Sequence, residues 1–247
     1  MIAGAAAIAL LLGLWELAPR AGWVRAESIP PFTDVAGEAS SVLGRPEFLD
    51  GLGASAARWA AGLALAIAIG VPLGTLMGRS RVVAGLVDPL LAAAYPVPKA
   101  ALILLFVLWW GAGDASRIAV VVAGSLIPIV VSAYHGARAV APVLLWSARG
   151  LGTRGAALWP RVIVPAALPQ ILSGVRIALG IAIFTVLASE LLIRGSGLGA
   201  YMFTALDNGQ TLTVFAMSAI VATLGFAADA LYVAAVRHGV PWLEGEV

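Results

Sequence analysis

Six apolar stretches recur along this chain, near residues 2–18, 58–77, 84–110, 115–135, 171–193 and 212–236, each bounded by Gly, Pro or charged residues. A helix needs about 20 apolar residues to cross about 30 Å of hydrocarbon. The stretches therefore leave little of the 247 residues for a separate soluble domain. Composition agrees: 61% of residues are hydrophobic and 11% charged, where a soluble domain carries about 25% charged. The expected fold is all-α, a polytopic membrane bundle of about six transmembrane helices forming a single domain over residues 1–247.

The same composition removes several kinds of chemistry. Cysteine is absent, and His135 and His238 are far apart in sequence, so neither a disulfide framework nor a thiolate or histidine metal site is expected. The net charge is only +2, carried by basic residues scattered singly along loops, which argues against nucleic acid as a partner. Lys99 is the single lysine and lies between Pro98 and Ala100, so no phosphate-cradling G-x-x-x-x-G-K-[ST] loop exists. The opening MIAGAAAIALLLGLWELAP lacks a basic leader, and an uncleaved first span is expected there.

Basic residues in short loops set the expected orientation. Arg79 and Arg81 follow the second stretch, and Arg138, Arg149, Arg154 and Arg161 lie between the fourth and fifth, with no acid in either segment. Glu27, Asp34, Glu38, Glu47 and Asp50 gather after the first stretch beside Arg20, Arg25 and Arg45, a mixture that a translocated loop tolerates. The positive-inside bias puts both termini in the cytoplasm. The acidic segment, 27–56, then lies outside as short amphipathic helices, with a plain linker as the alternative.

Within the spans, Gly70, Gly74 and Gly78 expose backbone on one face, a pattern for close helix packing, with a kink at Pro72. Tyr95, Pro96, Val97 and Pro98 remove two backbone donors and should break the third helix, which a membrane tolerates only at a cavity or protein lining. Lys99 beside that break would cost about 2.5–3.5 kcal/mol facing lipid, so it is expected in a solute path or gate, or in a structural pair. Glu190 has two readings, an i,i+4 pair with Arg194 or a pathway role. Arg176 and Asp229 are expected to pair within the bundle. Ser196 in Gly195-Ser196-Gly197 could mimic a nucleophile, but both histidines fall on the opposite side, so no catalytic residue is expected.

The segment from 137 to 170, ARAVAPVLLWSARGLGTRGAALWPRVIVPAALPQ, is amphipathic, basic and too short to fold alone. Leu144, Leu145, Leu151, Leu158 and Trp159 are expected to anchor it while Arg149, Arg154 and Arg161 face water; Pro165 and Pro169 mark entry to the fifth span. Its partner is either a protein or anionic membrane lipid.

Here the chain resembles the membrane subunits of ABC importers, which carry a cytoplasmic coupling motif of Glu-Ala-Ala, three residues, Gly, nine residues, then Ile-x-Leu-Pro. Ala148, Gly152 and Pro165 match it, and Val162 and Val164 replace Ile and Leu conservatively. Ala156 and Ala157 fall within the expected docking helix, and Trp146 and Ser147 depart from the motif's Glu and first Ala. The third stretch, DPLLAAAYPVPKAALILLFVLWWGAGDASRI, and LASELLIRGSGLGAYM are similar to the taurine, aliphatic sulfonate and nitrate permease group.

The resemblance implies a permease subunit of the bacterial inner membrane working by alternating access. Its implied partners are cytoplasmic ATPase subunits that hold the ATP and Mg, a second permease subunit that completes a homodimer, and an extracytoplasmic substrate-binding protein. Residues 146–149, 152, 154, 156, 157, 161 and 165 would couple to the ATPase. No cofactor is expected on this chain. The implied cargo is a small anion of sulfonate, taurine or nitrate type, or alternatively a pyrimidine precursor of thiamine. A carrier driven by an ion gradient is the rival mechanism; it would show internal symmetry and several mid-membrane charges.

Overall fold

Proline, glycine and serine punctuate the chain into helices whose ends can be traced to single residues. A computed structural model describes residues 2–240. Its helices are α1 (Ile2–Arg20), α2 (Phe32–Leu43), α3 (Pro46–Arg79), α4 (Arg81–Ala94), α5 (Lys99–Trp110), α6 (Asp114–Ala139), α7 (Pro142–Gly150), α8 (Val164–Leu192), α9 (Leu198–Asp207) and α10 (Thr211–Gly239). No strand occurs among the described residues. Ser80 separates α3 from α4 by turning extended and accepting the Val83 amide at 3.3 Å. Gly111, at φ +79°, ends α5, and the Ser116 hydroxyl donates to the Gly111 and Phe106 carbonyls at 2.6 and 2.9 Å.

The protein is a polytopic helical membrane protein. Four helical stretches among the described residues are long and apolar enough to cross a bilayer: α3, α6, Gly155–Leu192 and α10. The first expected span is α1, of 19 residues. The third is divided into α4 and α5, as the proline pair requires. The second begins earlier than its apolar run, because Pro46–Ala57 joins it in one helix of 34 residues. The amphipathic segment is thus α2 plus the first turns of α3, and Pro72 does not interrupt α3. The C-terminal end, expected in the cytoplasm, lies beyond the described residues.

The chain forms two compact units, whose boundary falls within α3, α8 and α10. In the larger, Ala57–Ser189 with the residues from Ala227 on, α6 packs on both α3 and α8. Its contact with α3 follows the glycine stripe: a Cβ on Gly70 would lie 2.8 Å from Ile129 Cγ2, one on Gly78 would lie 2.7 Å from Ala137 Cβ, and one on Gly74 would strike the Val130 carbonyl. Small residues let the two backbones approach where larger ones would hold them apart. On the other side Gly136 meets Ala167, and Gly174 meets Ser132. Leu63, Ile129, Ile171, Val175 and Leu179 fill the core between these helices.

In the smaller unit, the residues up to Ala56 with Glu190–Phe226, α1 is tied to α2. Glu16 accepts the Thr33 amide at 3.0 Å, capping α2 from another helix, and pairs with Arg20 at 2.5 Å. Trp15 donates to the Pro30 carbonyl and packs edge-on against Phe32. Val35 and Val42 are the buried side of α2.

Candidate functional site

Three places carry the residues that the sequence singles out. The first is the break between α4 and α5. In an unbroken helix the Ala94 carbonyl would accept from residue 98, but Pro98 has no N–H. The Val97 amide reaches the Ala94 carbonyl instead at 3.3 Å, and the Lys99 ammonium adds to it, donating to the Tyr95 carbonyl at 2.7 Å and the Ala94 carbonyl at 3.3 Å, 5.7 Å from the Tyr95 ring centre. Tyr95, Pro98 and Lys99 line one side of a cavity of about 750 Å³, with Ser132 and Pro128 of α6 and Ile177, Ile181 and Phe184 of α8 among the other walls. Pro96 is exposed in the break.

The second place is the far end of α8, where Glu190 is completely buried in the smaller unit. The Ser55 hydroxyl donates to its carboxylate at 2.7 Å, and the Gly199 amide does so at 3.0 Å. Ser55 Oγ in turn accepts the Leu198 amide at 2.8 Å, so the first amides of α9 end on this pair. Gly197, at φ +120°, presses its backbone against the carboxylate, where a Cβ would collide with Glu190. Arg194 stacks 4.5 Å from the Phe203 ring centre. Nearby, Arg45 reaches Glu38 at 3.0 Å and the Tyr201 hydroxyl at 3.2 Å, and these two partners raise its pKa above the usual guanidinium range. Glu190 and Lys99 lie in different units.

The third is the segment after α6. Trp146, Ser147, Ala148 and Arg149 lie in α7, which opens on Pro142. Gly152 turns the chain at φ +87°, and the Thr153 amide donates back to the Ala148 carbonyl at 2.9 Å, a glycine-ended helix stop. Ala156 and Ala157, expected within the docking helix, form a separate 3-10 turn, because Gly155 at φ +58° breaks the helix before them. Arg161 sits in a π-helical turn running into α8, whose second residue is Pro165.

Leu145 and Leu158 anchor the segment against Ala137, Val140 and Ile163. Leu144 and Leu151 do not: they are exposed, Leu151 at 87%, alongside Trp146 at 66%. A nine-residue helix ended by a glycine turn can point only one stripe inward, and Leu145 takes it. Arg149, Arg154 and Arg161 are all exposed.

Two charged arrangements stand beside these. Arg176 and Asp229 pair as expected, through two parallel bonds of 2.7 and 2.8 Å between α8 and α10. Sequence reasoning missed the other: Arg58 of α3 and Arg117 of α6, both about 4% exposed, converge on Asp114 Oδ1 at 2.8 and 3.1 Å. Arg117 stands three residues after Asp114, a spacing that could have signalled half of this cluster.

The family described as "Binding-protein-dependent transport system inner membrane component" matches residues 70–238. The chain belongs to this family. Among inner membrane components of this kind, the taurine transport system permease protein TauC of Escherichia coli (strain K12) is 34% identical over 246 residues, covering 97% of this chain and 89% of that one. The SsuC permease of Bacillus subtilis (strain 168), named for aliphatic sulfonates transport, is 32% identical across 90% of this chain and 80% of its own. The formylaminopyrimidine transport permease protein ThiX of Halalkalibacterium halodurans is 34% identical over 68% of each chain. The inner membrane component match takes in the α4–α5 break, α6, the exposed segment around α7, and Glu190.

Proposed function

We propose that this chain is the membrane-spanning permease subunit of an ATP-driven importer, moving a small anionic solute of sulfonate, taurine or nitrate type by alternating access. The observation that carries the reading is the segment 142–161. It is fixed to the larger unit by Leu145 and Leu158, yet it presents Trp146, Leu151 and three arginines to solvent with no acidic residue among them. An apolar stripe ringed by cations on a membrane protein is a surface for a partner with an acidic-edged cleft. In this reading that partner is the ATPase subunit, which holds the ATP and Mg. Trp146, Ser147, Ala148, Arg149, Gly152, Arg154, Ala156, Ala157, Arg161 and Pro165 then form its handle. Closure of two ATPase subunits would rock a pair of permease chains between outward and inward openings, with a binding protein delivering cargo outside.

Tyr95, Pro96, Pro98 and Lys99 are proposed as pathway wall, because a broken helix and a cation coincide at one cavity. The name of the formylaminopyrimidine relative keeps a pyrimidine-type solute as the second reading. Deletion of residues 146–158 is expected to abolish retention of the ATPase subunit on purified permease while leaving the membrane bundle folded. Undiminished retention would remove the docking assignment.

A further inference from the structure

We propose that the cavity beside the α4–α5 break is a two-part binding site for an amphiphilic monoanion: a compact anionic head on Lys99 and Ser132, and a short apolar body against Ile177, Ile181 and Phe184. The proposal rests on the permease reading and narrows its solute.

Position comes first. Ser132 and Pro128 stand in the middle turns of α6, and Ile177–Phe184 in the middle turns of α8, so the cavity opens midway along two crossing helices. A lone ammonium at that depth needs compensation. No carboxylate pairs with Lys99 among the described residues, whereas Arg176 on α8 is neutralised by Asp229. Its present partners are two neutral carbonyls at the proline break, of which the Ala94 carbonyl also accepts the Val97 amide at 3.3 Å. A lysine ammonium has three N–H donors. Two are engaged, and one remains to meet an anion without unmaking the cap on α4.

The hydroxyls divide the same way. Thr185 donates its proton to the Ile181 carbonyl, at 2.5 Å. Ser132 Oγ has no hydrogen-bond partner among the described residues, so it is the wall hydroxyl with a proton to give. One cation and one free donor suit a singly charged oxyanion. A second negative charge would stand at this depth uncompensated.

The remaining walls are hydrocarbon. Ile177, Ile181 and Phe184 line the cavity beyond the charged end and offer only hydrocarbon there. At about 750 Å³ the space far exceeds a bare inorganic oxyanion, which would leave that wall wetted. A head with a few carbons attached satisfies both ends.

The native chain has no cysteine, so Ser132→Cys supplies a single thiol inside the proposed site. The permease in nanodiscs is treated with methanethiosulfonate reagents bearing a sulfonate, a trimethylammonium or a neutral group, each rate being normalised to the neutral one. The sulfonate reagent is expected to react faster than the cationic one by at least about tenfold, since one charge nearby at low dielectric separates them by that much. Butane-1-sulfonate should slow labelling at concentrations where sodium nitrate and butan-1-ol do not. Lys99→Gln in this background should erase the preference and the protection, and Lys99→Arg, which keeps charge and cap, should retain both.

Equal rates for the two charged reagents, an unreactive thiol, preference surviving in Lys99→Gln, or its loss in Lys99→Arg would each overturn the site. Nitrate protecting as well as butane-1-sulfonate would overturn its apolar half. Labelling needs neither ATP nor a partner subunit, so failure here leaves the result of the 146–158 deletion standing, and failure of that deletion leaves this one.

Discussion

The Gly199 amide and the Ser55 hydroxyl converge on one buried carboxylate, and Ser55 in turn accepts the Leu198 amide, which makes Glu190 the residue whose loss is easiest to predict. Glu190→Ala would strand the Ser55 hydroxyl and the Gly199 amide, both buried. A stranded buried donor costs about 1–3 kcal/mol, so the two together are expected to cost about 2–6 kcal/mol, confined first to the start of α9. Glu190→Gln keeps an acceptor oxygen in place and should lose about half as much. Hydrogen exchange at Leu198 and Gly199 is the measurement, and unchanged protection in the alanine variant would refute the role. Local spacing drew attention to Glu190 but offered only Arg194, four residues on. Ser55 is 135 residues away, and nothing in a single sequence ties a serine to that distance.

Between helices, close approach has a directional signature. A Cβ at Gly74 would strike the Val130 carbonyl and the Ala133 methyl of α6, neither of which can rotate away. Gly74→Val should therefore force α3 and α6 apart and destabilise the bundle by about 1–3 kcal/mol or more. A Cβ at Gly85 of α4 meets nothing within 4 Å, so Gly85→Ala should be neutral or slightly stabilising through helix propensity. Melting of the two purified variants in detergent compares them directly; similar losses would show that backbone proximity is not what the stripe provides. This stripe and the break at Tyr95–Pro98 were legible because each is written in consecutive turns of one element. The Arg176–Asp229 pair was legible for a different reason, since charges inside spans need partners and few are available. The seating of α7 was not. Its leucines alternate along a short, glycine-broken segment, so Leu145 and Leu158 could be told from Leu144 and Leu151 only once the turn at Gly152 was placed. The Arg58–Asp114–Arg117 cluster was hidden because its members flank two different spans.

Over the whole chain, charge asymmetry makes one demand that can be met or refused as a unit. Arg154, in the stretch before α8, and Asn208, just after α9, are both exposed and are separated along the chain by α8, a helix within one of the crossing stretches. Charge rules assign the arginine-rich loop to the cytoplasm, because moving several guanidiniums across hydrocarbon is costly while a mixed acidic loop crosses readily. If that assignment holds, the ATPase handle and the binding-protein face are on opposite sides, as an importer energised from inside requires. Arg154→Cys and Asn208→Cys, each a single thiol in a chain without others, should then differ completely toward a membrane-impermeant maleimide. In intact right-side-out vesicles only the Asn208 variant should react; in inverted vesicles only the Arg154 variant should. Reaction of both thiols from the same side would mean that α8 does not cross, which removes the crossing bundle. Reaction with the sides exchanged would keep the bundle but turn the cationic handle away from cytoplasmic ATP, and no importer mechanism of the proposed kind survives that reversal.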